Sequence, residues 1–221
     1  TSRGFSAANS RLEGNTEADG YENFSLSARA GYKASDSIDV DFSARFITAE
    51  SDIDNYGGAF GDDPNNVQKY EWLFLKGYVR GFFLKNRWEQ KLTLSHVDSD
   101  RETENPTDEQ HPYDSDRSRY KSRLFKLDWQ NNLFLHQTNT LTFGAEYQEE
   151  QGESAFYAES IGGLSSSLFP LQKAHNLGLY LQDQLKAAGH FFLTAGVRFE
   201  DHSQAGSVVT CRIAPAFFIR R

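Results

Sequence analysis

The chain has 221 residues, of which 38% are hydrophobic and 14% aromatic, and its formal net charge at pH 7 is -8. Apolar runs such as Trp72–Leu75 are far shorter than the roughly 18 residues of a membrane-spanning helix, which is therefore excluded. The aromatic content argues against disorder, and the acidic balance argues against nucleic-acid binding. The single cysteine, Cys211, cannot form an internal disulfide, and no Cys/His spacing indicates a zinc site.

Alternation of apolar and polar residues recurs along the chain from its first segment to its last. In 21–33, for example, Phe24, Leu26 and Ala28 alternate with Ser25 and Ser27. This period of two is typical of a β-strand that has one apolar and one polar face. The pattern recurs in 38–50, 125–135, 141–147 and 191–199. We count about ten strands, including a first one at 1–8 and a last one at 207–219, and no segment favours an amphipathic helix.

The predicted connections alternate between short and long. Short ones lie at 34–37, 84–87, 136–139 and 187–190, and long ones at 9–20, 51–67, 99–118 and 149–174, with a shorter one near 201–206. Consecutive antiparallel strands reverse direction, so all tight hairpins must lie at one end of the sheet. Short turns at one end and long loops at the other are typical of an outer-membrane barrel, whose short turns face the periplasm. The sequence therefore predicts an all-β, antiparallel transmembrane β-barrel.

Two further features agree with a membrane barrel. Three long connections contain 15 of the 31 acidic residues but only three basic ones, so the predicted external rim is acidic, although solvated loops collect charge in any case. Aromatic residues near predicted strand ends suit the girdle at the membrane interface, although ordinary sheet aromatics would look the same. These girdle candidates are Tyr32, Trp88, Tyr120 and Phe199.

Three stretches resemble TonB-dependent outer-membrane receptors, and in particular their vitamin B12 (cobalamin) branch. The first joins 4–9 to 14–21, the second joins 44–46 to 51–56, and the third joins 178–182 to 195–206, where Gly196-Val197-Arg198 is similar to the family's Gly-x-Arg strand. The resemblance implies a 22-stranded barrel in the Gram-negative outer membrane. It also implies an N-terminal plug domain and energy from the TonB-ExbB-ExbD complex. Residues 1–221 then form one partial barrel domain of about ten strands, without plug or remaining strands.

The family resemblance also implies roles for two sets of polar residues. Cobalamin receptors bind calcium in their second and third external loops, and the matching positions are Glu17, Asp19, Asp52 and Asp54; solvated acidic loops are the alternative. The polar faces of the strands would point into the barrel, where they either grip the plug or line a wet pore. The predicted inward-facing residues are Arg29, Asp39, Asp41, Arg45, Lys126, Asp128, Gln130, Glu146 and Arg198.

An enzyme is not expected. The six histidines show no metal-ligand spacing, and Ser95, His96 and Asp98 cannot form a triad because adjacent strand residues point to opposite faces. The predicted function is TonB-dependent import of a scarce large solute, such as cobalamin or a metal chelate. Two alternatives stay open at this point, namely a small passive outer-membrane barrel acting as pore or anchor, and a soluble β-rich binding module.

Overall fold

The computed structural model describes residues 3–13, 18–58, 61–187 and 189–218, with side chains from residue 20 onward except 54–64. All regular secondary structure in these residues is β-strand. No helix among them is long and apolar enough to cross a membrane. The strands are β1 (Arg3–Glu13), β2 (Ala18–Ser35), β3 (Ile38–Gly58), β4 (Gly61–Phe83), β5 (Trp88–Asn105), β6 (Ser115–His136), β7 (Asn139–Ser160), β8 (Gly163–Ala187), β9 (Phe191–His202) and β10 (Gly206–Phe217).

The described strands form one ten-stranded sheet in which each strand pairs with its neighbours in the sequence. Every pairing is antiparallel, so the chain runs up and down across the sheet. β1 and β10 form the two edges and do not pair with each other in the described structure. The prediction of an all-β antiparallel sheet of about ten strands is confirmed.

Tight hairpins close one end of the sheet, as the sequence predicted. Two residues join β2 to β3 and two join β6 to β7, while 84–87 form the turn between β4 and β5 and 189–190 belong to the turn before β9. Leu84, Lys85 and Asn86 all have positive φ angles, and the N–H of Arg87 donates to the carbonyl oxygen of Leu84 over 3.3 Å. Left-handed backbone at successive turn positions matches the twist of the flanking strands and allows this sharp reversal.

The opposite end of the sheet differs from the sequence prediction. Most of the connections predicted as long loops at 51–67, 99–118 and 149–174 are strand, because the six strands β3 to β8 extend into them. Among the residues whose side chains the structure describes, 106–114 is the longest segment outside a strand. Alternation disappears here because both faces contact water, yet antiparallel pairing still satisfies the backbone hydrogen bonds. The two ends of the sheet therefore differ in how far the strands extend, and not in the length of irregular loops.

The sheet is a single layer, so it lacks the packed core of a globular protein. Ala49 is the one apolar residue that is buried among the side chains described, while Leu181 is 46% and Ile213 77% exposed. Apolar side chains instead form a row of 9 to 11 residues on one face of β2, β3, β4, β6, β8, β9 and β10, near the length that crosses a bilayer with tilt. Two polar residues, Asn131 and Asp183, interrupt these rows. These rows occupy 24–32, 38–46, 73–83, 125–135, 177–185, 191–199 and 209–217.

Register aligns these rows across the sheet. Leu26 pairs with Phe46 and Phe46 with Leu73, while further along the sheet Leu181 lies opposite Phe143 and Val197. The rows thus merge into one belt, which we call the apolar belt, on the face that we call the outer face. The belt lies next to the tight hairpins, and the strand extensions project beyond its far side.

Candidate functional site

The other face of the sheet, which we call the inner face, carries the polar residues predicted to point into a barrel. Starting from Arg29, the register runs through Ser43, Lys76 and Ser95 to Lys126, so these five residues share one row of that face. Strand alternation and register then place all nine predicted residues on the inner face, opposite the apolar belt. The predicted sharing of one face by these nine residues is confirmed, and their position inside a barrel stays a prediction.

Charges on the inner face are joined across strands. The Glu146 carboxylate lies 2.8 Å from Nζ of Lys126 and 3.2 Å from Nη2 of Arg198, and Arg198 also contacts Glu200 at 2.9 Å. Only 13% of the Glu146 side chain is exposed, so its charge depends on these two cations. A continuous network therefore links β6, β7 and β9 across the centre of the wall.

Two glycines make room for this network. A Cβ on Gly178 would lie 2.8 Å from Nη2 of Arg198, and a Cβ on Gly144 would overlap the ring hydroxyl of Tyr180. The Arg198 guanidinium also lies 5.9 Å from the centre of the Tyr180 ring. Absence of side chains at these two positions lets Arg198 and Tyr180 lie flat along the wall.

A second group of ion pairs connects β2, β3 and β4 on the same face. Arg29 contacts Asp41 at 3.0 Å, and Arg80 contacts Asp39 at 2.7 Å. Both pairs join neighbouring strands at the hairpin end of the inner face. Sequence reasoning predicted that Asp39 and Asp41 face inward, but it did not identify their partners, since pairing depends on register.

Aromatic residues gather on the inner face above the apolar belt. Tyr70 and Trp72 have ring centroids 5.7 Å apart and, together with Arg101, Tyr120 and Phe169, line a cavity of about 550 Å³. Trp72, Tyr120 and Phe169 are 41%, 51% and 53% exposed. We call these five residues the mouth cluster, because they lie where the extended hairpins leave the belt. Exposed rings beside a guanidinium can contact a planar or apolar solute and donate to its acceptors.

The prediction that Tyr120 belongs to the aromatic girdle is wrong. The register partner of this residue is Arg101, which places it on the inner face and beyond the belt, while Tyr32, Trp88 and Phe199 lie on the outer face as a girdle requires. The sequence suggested a strand end at Tyr120 because alternation fades there, whereas β6 starts at Ser115. The mouth cluster was missed for the same reason.

The acidic rim is more nearly balanced than the sequence suggested. On the outer face of the β5–β6 extension, Asp98 lies 2.9 Å from Arg123, Asp100 lies 2.6 Å from Arg119, and Glu102 pairs with Arg117. The hydrogen bond from Arg119 holds the pKa of Asp100 below its ordinary value. Acids of β5 thus face bases of β6, a pairing that a count of the charges in each loop cannot reveal.

The 106–114 connection is also ordered by polar contacts. Oδ1 of Asp108 accepts hydrogen bonds from the backbone N–H groups of Gln110 and His111, at 2.7 and 2.6 Å. The Asn65 amide donates to the other oxygen of Asp108 at 3.1 Å and thereby attaches this connection to β4. The Asp108 pKa is lowered, chiefly because its carboxylate accepts the backbone hydrogen bond of His111.

The predicted calcium ligands are largely untested. Glu17 and the side chains of Asp19 and Asp54 lie outside the described residues. Asp52 is described, and its Oδ2 accepts a hydrogen bond of 3.1 Å from the N–H of Gly20. No group of three or more potential metal-ligating side chains occurs within the described part of the chain. Calcium binding stays a prediction.

Comparison with known proteins identifies relatives that share this architecture. The family model described as TonB dependent receptor-like, beta-barrel matches residues 3–214. Among curated protein sequences, none matches this chain. Among solved structures, the siderophore receptor PiuA from Acinetobacter baumannii has a TM-score of 0.67 at 11% identity, covering 95% of this chain and 40% of PiuA.

Two further structures show the same fold. The siderophore receptor PirA from Acinetobacter baumannii has a TM-score of 0.65 at 17% identity, over 92% of this chain and 32% of PirA. The ferric citrate transporter FecA in its unliganded form has a TM-score of 0.64 at 12% identity, over 95% of this chain and 34% of FecA. The chain thus spans less than half the length of these proteins. The match over 3–214 shows that the chain belongs to the TonB-dependent receptor β-barrel family.

Proposed function

We propose that this chain forms part of the wall and vestibule of a TonB-dependent receptor in the outer membrane of a Gram-negative bacterium. The receptor imports a scarce large solute, such as cobalamin or a metal chelate, and is not an enzyme. The observation that carries the proposal is the division of one sheet into two faces. An apolar belt about one bilayer thick covers the outer face, and networked charges cover the inner face.

Both alternative functions are disfavoured by specific features. A soluble module would expose the apolar belt to water, where contiguous patches of this size are rare in monomeric soluble proteins. A self-contained passive barrel requires the edge strands to pair, because lipid cannot satisfy free backbone groups. β1 and β10 do not pair with each other in the described structure. We therefore propose that further strands complete the barrel, and the family resemblance implies 22 strands in total.

The inner-face network supports an interior plug domain. Glu146, Lys126 and Arg198 together offer donors and acceptors to any protein surface that packs against the wall. In the proposed mechanism, the plug is held by such contacts until the TonB-ExbB-ExbD complex acts on it. Movement of the plug then opens a path along the inner face. Transport consequently needs energy, unlike diffusion through a passive pore.

The mouth cluster is the proposed place of solute capture. Its rings and its guanidinium are accessible from the external end, before the solute reaches the plug. PiuA and PirA are siderophore receptors and FecA is a ferric citrate transporter, which supports a metal chelate as the solute. Cobalamin is supported by the sequence motifs alone.

We also propose calcium binding by Glu17, Asp19, Asp52 and Asp54 near this mouth. Carboxylate oxygens on neighbouring hairpins are suitable calcium ligands. Calorimetric titration of the purified full-length receptor with calcium chloride tests the proposal. Asp52→Asn should weaken binding, and calcium binding unchanged by that substitution would contradict the role of Asp52.

Uptake measurements test the proposed function directly. The full-length gene is expressed in a strain that lacks its own receptors for the test solutes, and accumulation of radiolabelled cobalamin and of iron chelates is followed with and without TonB. We expect accumulation of one solute only when TonB is present. Equal accumulation without TonB would indicate a passive pore and overturn the proposal.

A further inference from the structure

Positive charge is concentrated on the inner face at the height of the apolar belt, although the whole chain has a net charge of -8. Bases outnumber acids there. Among the described side chains, the bases are Arg29, Lys33, Arg45, Lys76, Arg80, Lys91, Lys126, Lys186, Arg198 and Arg212, and the acids are Asp39, Asp41, Glu89, Asp128, Glu146, Glu150 and Glu200. A concave wall with an excess of one charge concentrates the opposite charge from solution.

The excess of positive charge is greatest in one groove that crosses β2, β3, β4 and β5. Arg29, Arg45 and Lys76 line this groove together with the hydroxyl groups of Ser43 and Ser95, and its volume is about 650 Å³. The apolar side chains of Phe74 and Val97 form another part of its lining. The register explains the arrangement, because Ser43 pairs with both Arg29 and Lys76, and Lys76 pairs with Ser95. Bases and hydroxyls therefore alternate along one row of the wall.

Among the described side chains, two of the three cations in the groove lack a carboxylate partner. Arg29 donates from Nε to both oxygens of Asp41, at 3.1 and 3.0 Å. Within the side chains that the structure describes, no acid lies at ion-pairing distance from Arg45 or Lys76. Unlike the Glu146 network, this part of the wall has charge that is not compensated by the described protein.

We propose that the groove between Arg29, Arg45 and Lys76 binds an oxyanion, either carboxylate or phosphate. Guanidinium and ammonium groups form charge-assisted hydrogen bonds with such anions, and serine hydroxyls supply additional donors. The volume suits a small polyanion or the anionic part of a larger solute. This inference rests on the proposed function in one respect, namely that the inner face lines the transport path.

The anion has two sources with the same chemistry. It is either an anionic group of the solute that passes along the wall, or an acidic side chain of the interior plug. A solute group would bind from solution, whereas a plug carboxylate would already occupy the groove and would stabilise the closed receptor. The two sources therefore predict different results for the binding of a soluble probe and for the melting temperature of the receptor.

Calorimetric titration of the purified full-length receptor in detergent provides the test, with citrate and inorganic pyrophosphate as probes. The Arg45→Gln/Lys76→Gln double variant removes the uncompensated charges. Lys186→Gln/Arg212→Gln is the matched control, because it removes the same charge from the inner face outside the groove. We expect the wild type and the control to bind a probe, and the groove variant to bind at least about tenfold more weakly.

A plug carboxylate in the groove predicts a different result. Neither probe then binds the wild type, and the groove variant melts at a lower temperature than the control. The proposal is overturned if the wild type binds no probe while both double variants melt alike. It is also overturned if a probe binds both variants equally. TonB-dependent uptake, measured separately, would survive either negative result, so the two proposals fail independently.

Discussion

An arginine placed in the apolar belt should strongly destabilise the receptor. Leu181 lies on the outer face near the middle of the belt row 177–185, with Phe143 and Val197 beside it, and it is 46% exposed. In a bilayer this exposed fraction contacts lipid. Gln182, the next residue, points to the inner face beside Thr142 and Gly196. The substitutions Leu181→Arg and Gln182→Arg therefore add the same charge to opposite faces.

The magnitude depends on depth in the membrane. An arginine on the lipid face of a barrel costs about 2–4 kcal/mol at the midplane and about 0–1 kcal/mol near the interface. Leu181→Arg should therefore lower the free energy of unfolding by about 2–4 kcal/mol, and Leu177→Arg, at the edge of the belt, by about 1 kcal/mol or less. Gln182→Arg should cost less than about 1 kcal/mol because the inner face is polar.

Reversible unfolding of the full-length receptor in phospholipid vesicles measures these differences. Guanidinium titration followed by tryptophan fluorescence gives the free energy of each variant, provided that the transition slope is unchanged. If both sides of the sheet faced water, Leu181→Arg would fall within about 0.5 kcal/mol of the wild type, as is usual for surface substitutions. That result, or an equal effect of Leu181→Arg and Gln182→Arg, would refute the assignment of the outer face.

Three further predictions concern the inner face and the rim. Glu146→Gln should lower the free energy of unfolding in the same assay by about 1–3 kcal/mol, because two cations lose their charged acceptor; an unchanged value would contradict the role of the network. Trp72→Ala should raise the half-saturating solute concentration for uptake about tenfold, whereas Trp129→Ala, which changes an outer-face ring, should leave it unchanged. Arg119 lowers the pKa of Asp100 below its ordinary 3.8, so this pair stabilises the rim above that pH and the stabilisation is lost as the pH falls through the lowered pKa. Hydrogen exchange at the β5–β6 extension, corrected for intrinsic rates, should show that loss below about pH 3.8 in the wild type but not in Arg119→Gln.

The belt-spanning parts of the strands could be predicted from the sequence because one face meets lipid or an apolar environment and the other meets polar groups. Because of that difference, apolar and polar residues alternate with a period of two in segments such as 24–32 and 191–199. The tight turns could be predicted for the same reason, because the alternating segments on either side end at the turn. Inward-facing residues such as Arg29 and Glu146 could be identified before their partners were known.

The extensions and the pairings could not be predicted in the same way. Beyond the belt both faces are wet, so residues such as 153–160 show no alternation although they are strand. Ion pairs such as Arg119 with Asp100 are diagonal across two strands, and they depend on a register that composition does not specify. The mouth cluster combines residues from β4, β5, β6 and β8, which only the sheet brings together.

A cysteine scan along β9 tests whether the outer face contacts lipid while the inner face lines a polar path. Positions 194–199 of the full-length receptor, in a Cys211→Ser background, each receive an environment-sensitive fluorophore, and quenching by nitroxide lipids in vesicles is measured. We expect strong quenching at 195, 197 and 199 and weak quenching at 194, 196 and 198. Quenching that does not alternate, or that is stronger at the even positions, would contradict the assignment of the two faces.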